Sequence, residues 1–187
     1  MVRNPNPQGK GLTPVLQFIE QTRAAVHVPP KQIDQVSGEL FTSLFVLKSE
    51  FLFKPVISKS YWLYRTGNKL KLFQISPHQW TAGYPGKFIG ECILQEDITW
   101  TLELDDDAAE DESLIRLIAE QRQQLQQSLE EAEKLEDALP VYVTSLPFYR
   151  RVMAFGLAAS LRLSMEAAGI NQLSYYEAKA LLTNNST

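Results

Sequence analysis

The sequence predicts an α+β fold: N-terminal helices, a four-stranded, mainly antiparallel sheet, and a C-terminal helical segment. Three observations predict it. Apolar residues recur at three- and four-residue steps from Ile33 to Phe51 and again from Leu114 to Leu135, the spacing of a helix face. Between those stretches, Ile98, Trp100, Leu102 and Leu104 alternate with Thr99, Thr101 and Glu103, the pattern of a strand with one buried face. Gly67-Asn68 interrupts a run rich in aromatic and branched residues, as a two-residue hairpin turn does.

The elements follow in order. Residues 1–11, with Asn4-Pro5-Asn6-Pro7 and Gly9-Lys10-Gly11, read as a flexible arm. Thr13-Pro14 caps a short helix to about Ala25, and Pro29-Pro30 ends that stretch. A second helix opens at Pro30. It carries Ile33, Val36, Leu40, Leu44, Leu47 and Phe51 on one face, and Lys54-Pro55 closes it. Four strands are expected at 60–66, 70–75, 88–95 and 98–104, with a helical turn capped by Ser76 between the second and third. The acidic run Asp105 to Glu112 suits the positive end of a long helix over roughly 108–138. Its narrow leucine seam wants one helical partner, inside the chain or in a second copy, so a homodimer is one expectation. A helix over 147–168 is apolar nearly all round at Val152 to Leu161, is therefore expected in the core, and is closed by Gly169. Ser174-Tyr175-Tyr176-Glu177 is a capping box opening a last helix to Leu182. One domain is thus expected over 12–182, with a frayed tail at 183–187.

Composition narrows the function classes. The 187 residues, 44% hydrophobic and 21% charged, are ordinary for one globular domain. The single cysteine, Cys92, allows no internal disulfide. No apolar run approaches the ~20 residues of a membrane span. A cytoplasmic protein with no membrane role is the expectation. The net charge of −4 is uneven, +3 over 1–104 and −7 over 105–187, the acid lying on expected helix faces.

No phosphate-binding loop, dinucleotide fingerprint or nucleophile elbow occurs. His27 and His78 lie far from each other and from any ligand-spaced Cys or carboxylate pair. Cys92 sits beside Glu91 in an expected strand, a poor setting for a thiolate. Glu96-Asp97 reads as turn chemistry. No catalytic residue, cofactor or metal is therefore assigned.

The hairpin is the candidate binding site. A two-residue turn pairs Thr66 with Lys69, Arg65 with Leu70, Tyr64 with Lys71, Leu63 with Leu72 and Trp62 with Phe73. Alternate pairs share a face, so Tyr61, Leu63, Leu70 and Leu72 form the core side. The other side carries Trp62, Tyr64, Lys69, Lys71 and Phe73. Rings beside lysines can grip a protein partner or stack on single-stranded nucleic acid; a covering helix would instead make them core. The expected role is a non-enzymatic protein-interaction module. Single-stranded nucleic-acid binding by the same face is the alternative, and an enzyme using Cys92, His78 or Arg65 the third reading.

The runs Tyr61-Trp62-Leu63-Tyr64-Arg65, Ile75-Ser76-Pro77-His78-Gln79-Trp80, Phe88-Ile89-Gly90 and Leu94-Gln95-Glu96-Asp97-Ile98-Thr99-Trp100-Thr101 resemble an uncharacterised family known only as a domain of unknown function. That family includes bacterial proteins and a human chromosome 1 open reading frame protein. The resemblance covers roughly Lys54 to Leu102, and most of the chain for the bacterial members. It implies the hairpin, the helical turn and two strands, and brings no activity, substrate or cofactor. Its eukaryotic members place cysteine and histidine near the loop at Tyr84-Pro85-Gly86, where this chain has neither.

Overall fold

The structure, a computed structural model, describes residues 28–141 and 145–184. The expected arm at 1–11, the first expected helix and His27 lie outside the described residues, as do 185–187. The described chain is α+β, as the sequence predicts. Helix α1 spans Ile33–Leu47 and is followed by strands β1 (Ser60–Thr66), β2 (Lys69–Phe73), β3 (Lys87–Leu94) and β4 (Trp100–Leu104). Helices α2 (Asp106–Ala109), α3 (Glu112–Glu131), α4 (Phe148–Ala168) and α5 (Tyr175–Asn184) complete it. The sheet order is β2-β1-β3-β4 and every pairing is antiparallel.

Period-3.6 apolar spacing gives α1 a buried stripe of Ile33, Val36, Leu40, Phe41 and Phe45. The stripe packs on β4 and α4. Helix α1 ends at Leu47, short of the expected Phe51. There the Ser49 hydroxyl donates to the Val46 carbonyl at 2.6 Å, and Glu50 leaves the helix to pair with the edge of β2. Its N–H donates to Leu70 O at 2.8 Å and its carbonyl accepts from Leu72 N at 3.1 Å. Phe51 is still buried and Phe53 still stacks on Tyr61, so the same aromatic spacing serves an extended segment.

The β1–β2 register is the expected one at all five pairs, from Trp62↔Phe73 to Thr66↔Lys69. Gly67 takes φ +59° at the first central turn position, a conformation that glycine adopts without strain. Between β1 and β3 the register slips, Leu63 facing Gly90 and Tyr64 facing Phe88, so Ile89 is the extra residue of a bulge. Strand β4 starts at Trp100, not at Ile98. Asp97 Oδ1 accepts from Thr99 N at 3.1 Å and Thr99 Oγ1 at 2.6 Å, and Ile98 takes φ +65° in that tight turn.

The long acidic helix is broken in two. Asp111 Oδ1 accepts from Ser113 N at 2.9 Å and Leu114 N at 3.1 Å, restarting the chain as α3 with a fresh N-cap. The leucine seam is taken up by the protein's own core. Leu114, Leu129 and Leu135 are buried, with Ile118 and Leu125 packed against them. Helix α4 buries most of its residues from Met153 to Met165, with Arg162 exposed, and closes on Gly169 at φ +70°, as expected. Helix α5, opened by the expected Ser174–Glu177 box, runs two residues past Leu182.

The inner face of the sheet, with Tyr61, Leu63, Leu72, Cys92, Leu94 and Trp100, shares one core with α1 and α4. Lys31 is also inside, 3% exposed, and pairs with both Glu39 and Asp97. That ion triad ties the start of α1 to the β3–β4 turn.

Candidate functional site

The outer face of the sheet follows from strand parity and register. One row crosses all four strands: Phe73, Trp62, Glu91 and Glu103. A second row holds Ser60, Ile93 and Thr101. Phe73, Trp62, Glu91 and Ile93 are half-buried and Thr101 and Glu103 exposed, so these two rows face outward, with no helix over them among the described residues. Trp62 is the centre of this open area, on a central strand between Phe73 and Glu91.

The third row is different. Tyr64, the partner of Lys71 and Phe88, is 0% exposed. The loop between β2 and β3 covers it, not a helix. Gln79 Oε1 accepts from Ser76 N at 3.0 Å to form the expected capped turn, and Trp80 then folds back onto the sheet. Its indole N–H donates to the Tyr64 hydroxyl at 3.0 Å. The Tyr64 ring has Phe73, Trp80, Tyr84 and Phe88 around it, with centroids 5.3–6.4 Å away. Burial pushes the Tyr64 hydroxyl pKa up, against the Trp80 hydrogen bond that lowers it. Tyr64 is therefore the floor of a small aromatic cluster and not a contact residue, a correction to the face read from the sequence. Tyr84, 61% exposed, is the ring that the loop presents instead.

The two lysines also separate. Lys69 is exposed and paired with Glu50 at 3.1 Å. Lys71 is half-buried and lines a groove of about 610 Å3 at the sheet edge, together with Phe51, Leu52, Phe53, Phe73 and Arg150. This groove forms where the chain leaves α1 and crosses β2. The structure thus brings Trp62, Phe73 and Lys71 together, buries Tyr64, and adds Trp80, Tyr84, Leu52 and Arg150. The sequence signal for Trp80 was the capped turn just before it; nothing local marks Arg150, which arrives from α4.

The residues weighed for catalysis are kept apart. Cys92 lies in the core at 0% exposure, and burial, with Glu91 adding to it, pushes its thiol far above the ordinary range. His78 is exposed on the loop. The Arg65 guanidinium is engaged with Ser113 Oγ at 2.8 Å and the Gly67 carbonyl at 3.0 Å. Among the described residues no three His, Cys, Asp or Glu side chains gather where they could hold a metal ion, and no helix is long and apolar enough to cross a membrane.

No family model, curated protein or solved structure matches this chain.

Proposed function

We propose that this chain is a non-enzymatic protein-interaction module that engages its partner through the open rows of the sheet, with Trp62 as the anchor and Phe73 and Lys71 beside it. The observation that carries the reading is a tryptophan at the centre of an antiparallel sheet, half-buried, on a face over which no described helix lies. Tryptophan is among the residues most enriched where binding energy concentrates. A sheet holds it in place, so little conformational entropy is lost on binding. The family resemblance is part of the same proposal, since its runs supply Trp62, Trp80 and the β3–β4 segment beside them. A cytoplasmic location belongs to it as well, resting on the lone cysteine.

The charge of the open rows favours protein over nucleic acid. Glu91 and Glu103 stand in the same row as Trp62, where a phosphate backbone would have to pass. The test is native purification of the tagged chain from its own host, wild type against Trp62→Ala, with mass spectrometry and an absorbance ratio on the eluate. A stoichiometric protein partner that the folded Trp62→Ala variant loses is the expected result. An identical captured set, or co-eluting nucleic acid released by salt, would overturn it.

A further inference from the structure

Resting on that reading, the edge groove narrows the chemistry of the partner. The groove is apolar in body and cationic at its rim. Phe51, Leu52, Phe53, Phe73 and Ile75 supply the apolar surface, and Leu52 is 88% exposed, an unusual position for a leucine with no described cover. Lys71 and Arg150 line the groove with a single carboxylate, Glu50, and Lys69, outside the lining, engages that carboxylate, so the four groups together carry two surplus positive charges in a chain whose net charge is −4.

Neither of those two charges sits in an ion pair among the described residues, although both, after Lys69, help to hold the Glu50 carboxyl below the usual carboxylate range. Glu50 is engaged by Lys69. The Lys71 ammonium makes no hydrogen bond or ion pair with any described residue. Arg150 donates only to carbonyls, Ser49 O at 3.1 Å and Lys48 O at 3.5 Å, and its Nε is buried without a partner.

We propose that this groove binds an extended peptide segment of the partner in which acidic residues are interleaved with large apolar ones. A carboxylate lies between Lys71 and Arg150, and the apolar side chains enter against Leu52, Phe53 and Ile75. Charge complementarity chooses acid over base. Shape chooses a peptide over a small molecule: small-ligand sites enclose most of the ligand, whereas this groove is open along one side with Leu52 at its lip. The sheet edge supplies direction. Glu50 occupies the ladder positions of Leu70 and Leu72, and β2 ends at Phe73, so the edge runs out beside Gln74, which lines the groove.

The experiment is selection of short random peptides displayed on phage against the purified full chain, followed by titration of a synthetic copy of the selected sequence. Enrichment of Asp and Glu among Leu, Ile and Phe is expected. Lys71→Glu and Leu52→Asp should each weaken the synthetic peptide roughly ten-fold or more, and the Lys71→Glu chain, its rim neutral, should lose the preference for acidic peptides. Leu52 is exposed and Lys71 half-buried, and circular dichroism with an unfolding curve checks that the variants fold; Arg150→Lys, which keeps the charge, should bind within a few-fold of wild type. Failure to enrich any sequence, enrichment of basic peptides by the wild type, or binding indifferent to Lys71→Glu and Leu52→Asp would overturn the proposal. Trp62→Ala separates the two readings. Peptides that depend on Trp62 but not on Lys71 and Leu52 sink the groove and leave the open face standing. Dependence on Lys71 and Leu52 alone keeps the groove and sinks Trp62 as the anchor.

Discussion

Gly90 faces Leu63 beside the bulge of β3, and a Cβ built there would lie 2.1 Å from the Glu103 carbonyl oxygen of β4. Backbone cannot yield as a flexible side chain can, so Gly90→Ala must push β3 and β4 apart. The expected cost is about 1–3 kcal/mol, read as a lower urea midpoint. Gly38, within α1, has nothing within 4 Å of its would-be Cβ, so Gly38→Ala should stabilise by about 0.5–1 kcal/mol and raise the midpoint. At Asp97, burial pushes the carboxyl pKa up, but the hydrogen bonds from Lys31 and Thr99 together outweigh it and hold the pKa below the ordinary value. A folded pKa below the unfolded one, ~3.9, means that the stabilisation is present above that pH and lost as pH falls through the folded value. Asp97→Asn should therefore cost roughly 1–2 kcal/mol at neutral pH, since Lys31 keeps Glu39. The gap between variant and wild type should begin to narrow below about pH 4 and close as pH falls through the folded pKa. A gap unchanged from pH 7 to pH 3 would show that the Asp97 charge contributes nothing.

Periodicity names a helix face but not its partner. The leucine seam of α3 fits a second copy as well as it fits this chain, because the spacing is the same in both cases. The fold uses it internally: Leu129 is 2% exposed and packs in the common core. Leu129→Ala is expected to cost about 2–5 kcal/mol without any change in the solution mass. A stability that rose with protein concentration and fell with this substitution would return the seam to an intermolecular role. The hairpin was legible in full, because two-residue parity and one turn determine every pair. The breaks at Leu47 and at Asp111 were not. Glu50 leaves α1 for a strand edge distant in sequence, and the Asp111 cap lies inside an acid run in which any of several residues could have capped.

Across the whole molecule, the helices in contact with the sheet share the core of its inner face, and the outer face is divided between an aromatic cluster and open rows. Neighbouring rings of one hairpin face therefore have opposite roles. Tyr64→Ala would empty the cluster floor at a cost of about 3–5 kcal/mol, whereas Trp62→Ala, at a half-buried site, should cost less, about 1–2 kcal/mol. Thermal melts of the two variants distinguish these outcomes. Equal losses would mean that Trp62 is core as well, and would remove it as the anchor.

The sequence by itself determined the fold class, the hairpin register, the core side of the sheet, the buried α4 and the caps at Ser76, Gly169 and Ser174. All of these follow from short-range parity, periodicity or backbone chemistry. The tertiary structure decided which parts of the outer face stay open. Parity puts Trp62 and Tyr64 on one side, but only the return of Trp80 and Tyr84 buries one and spares the other. It also built the groove, because Phe51, Lys71 and Arg150 come from three separate segments. Their meeting depends on where α4 packs and where α1 ends, and no local pattern encodes either.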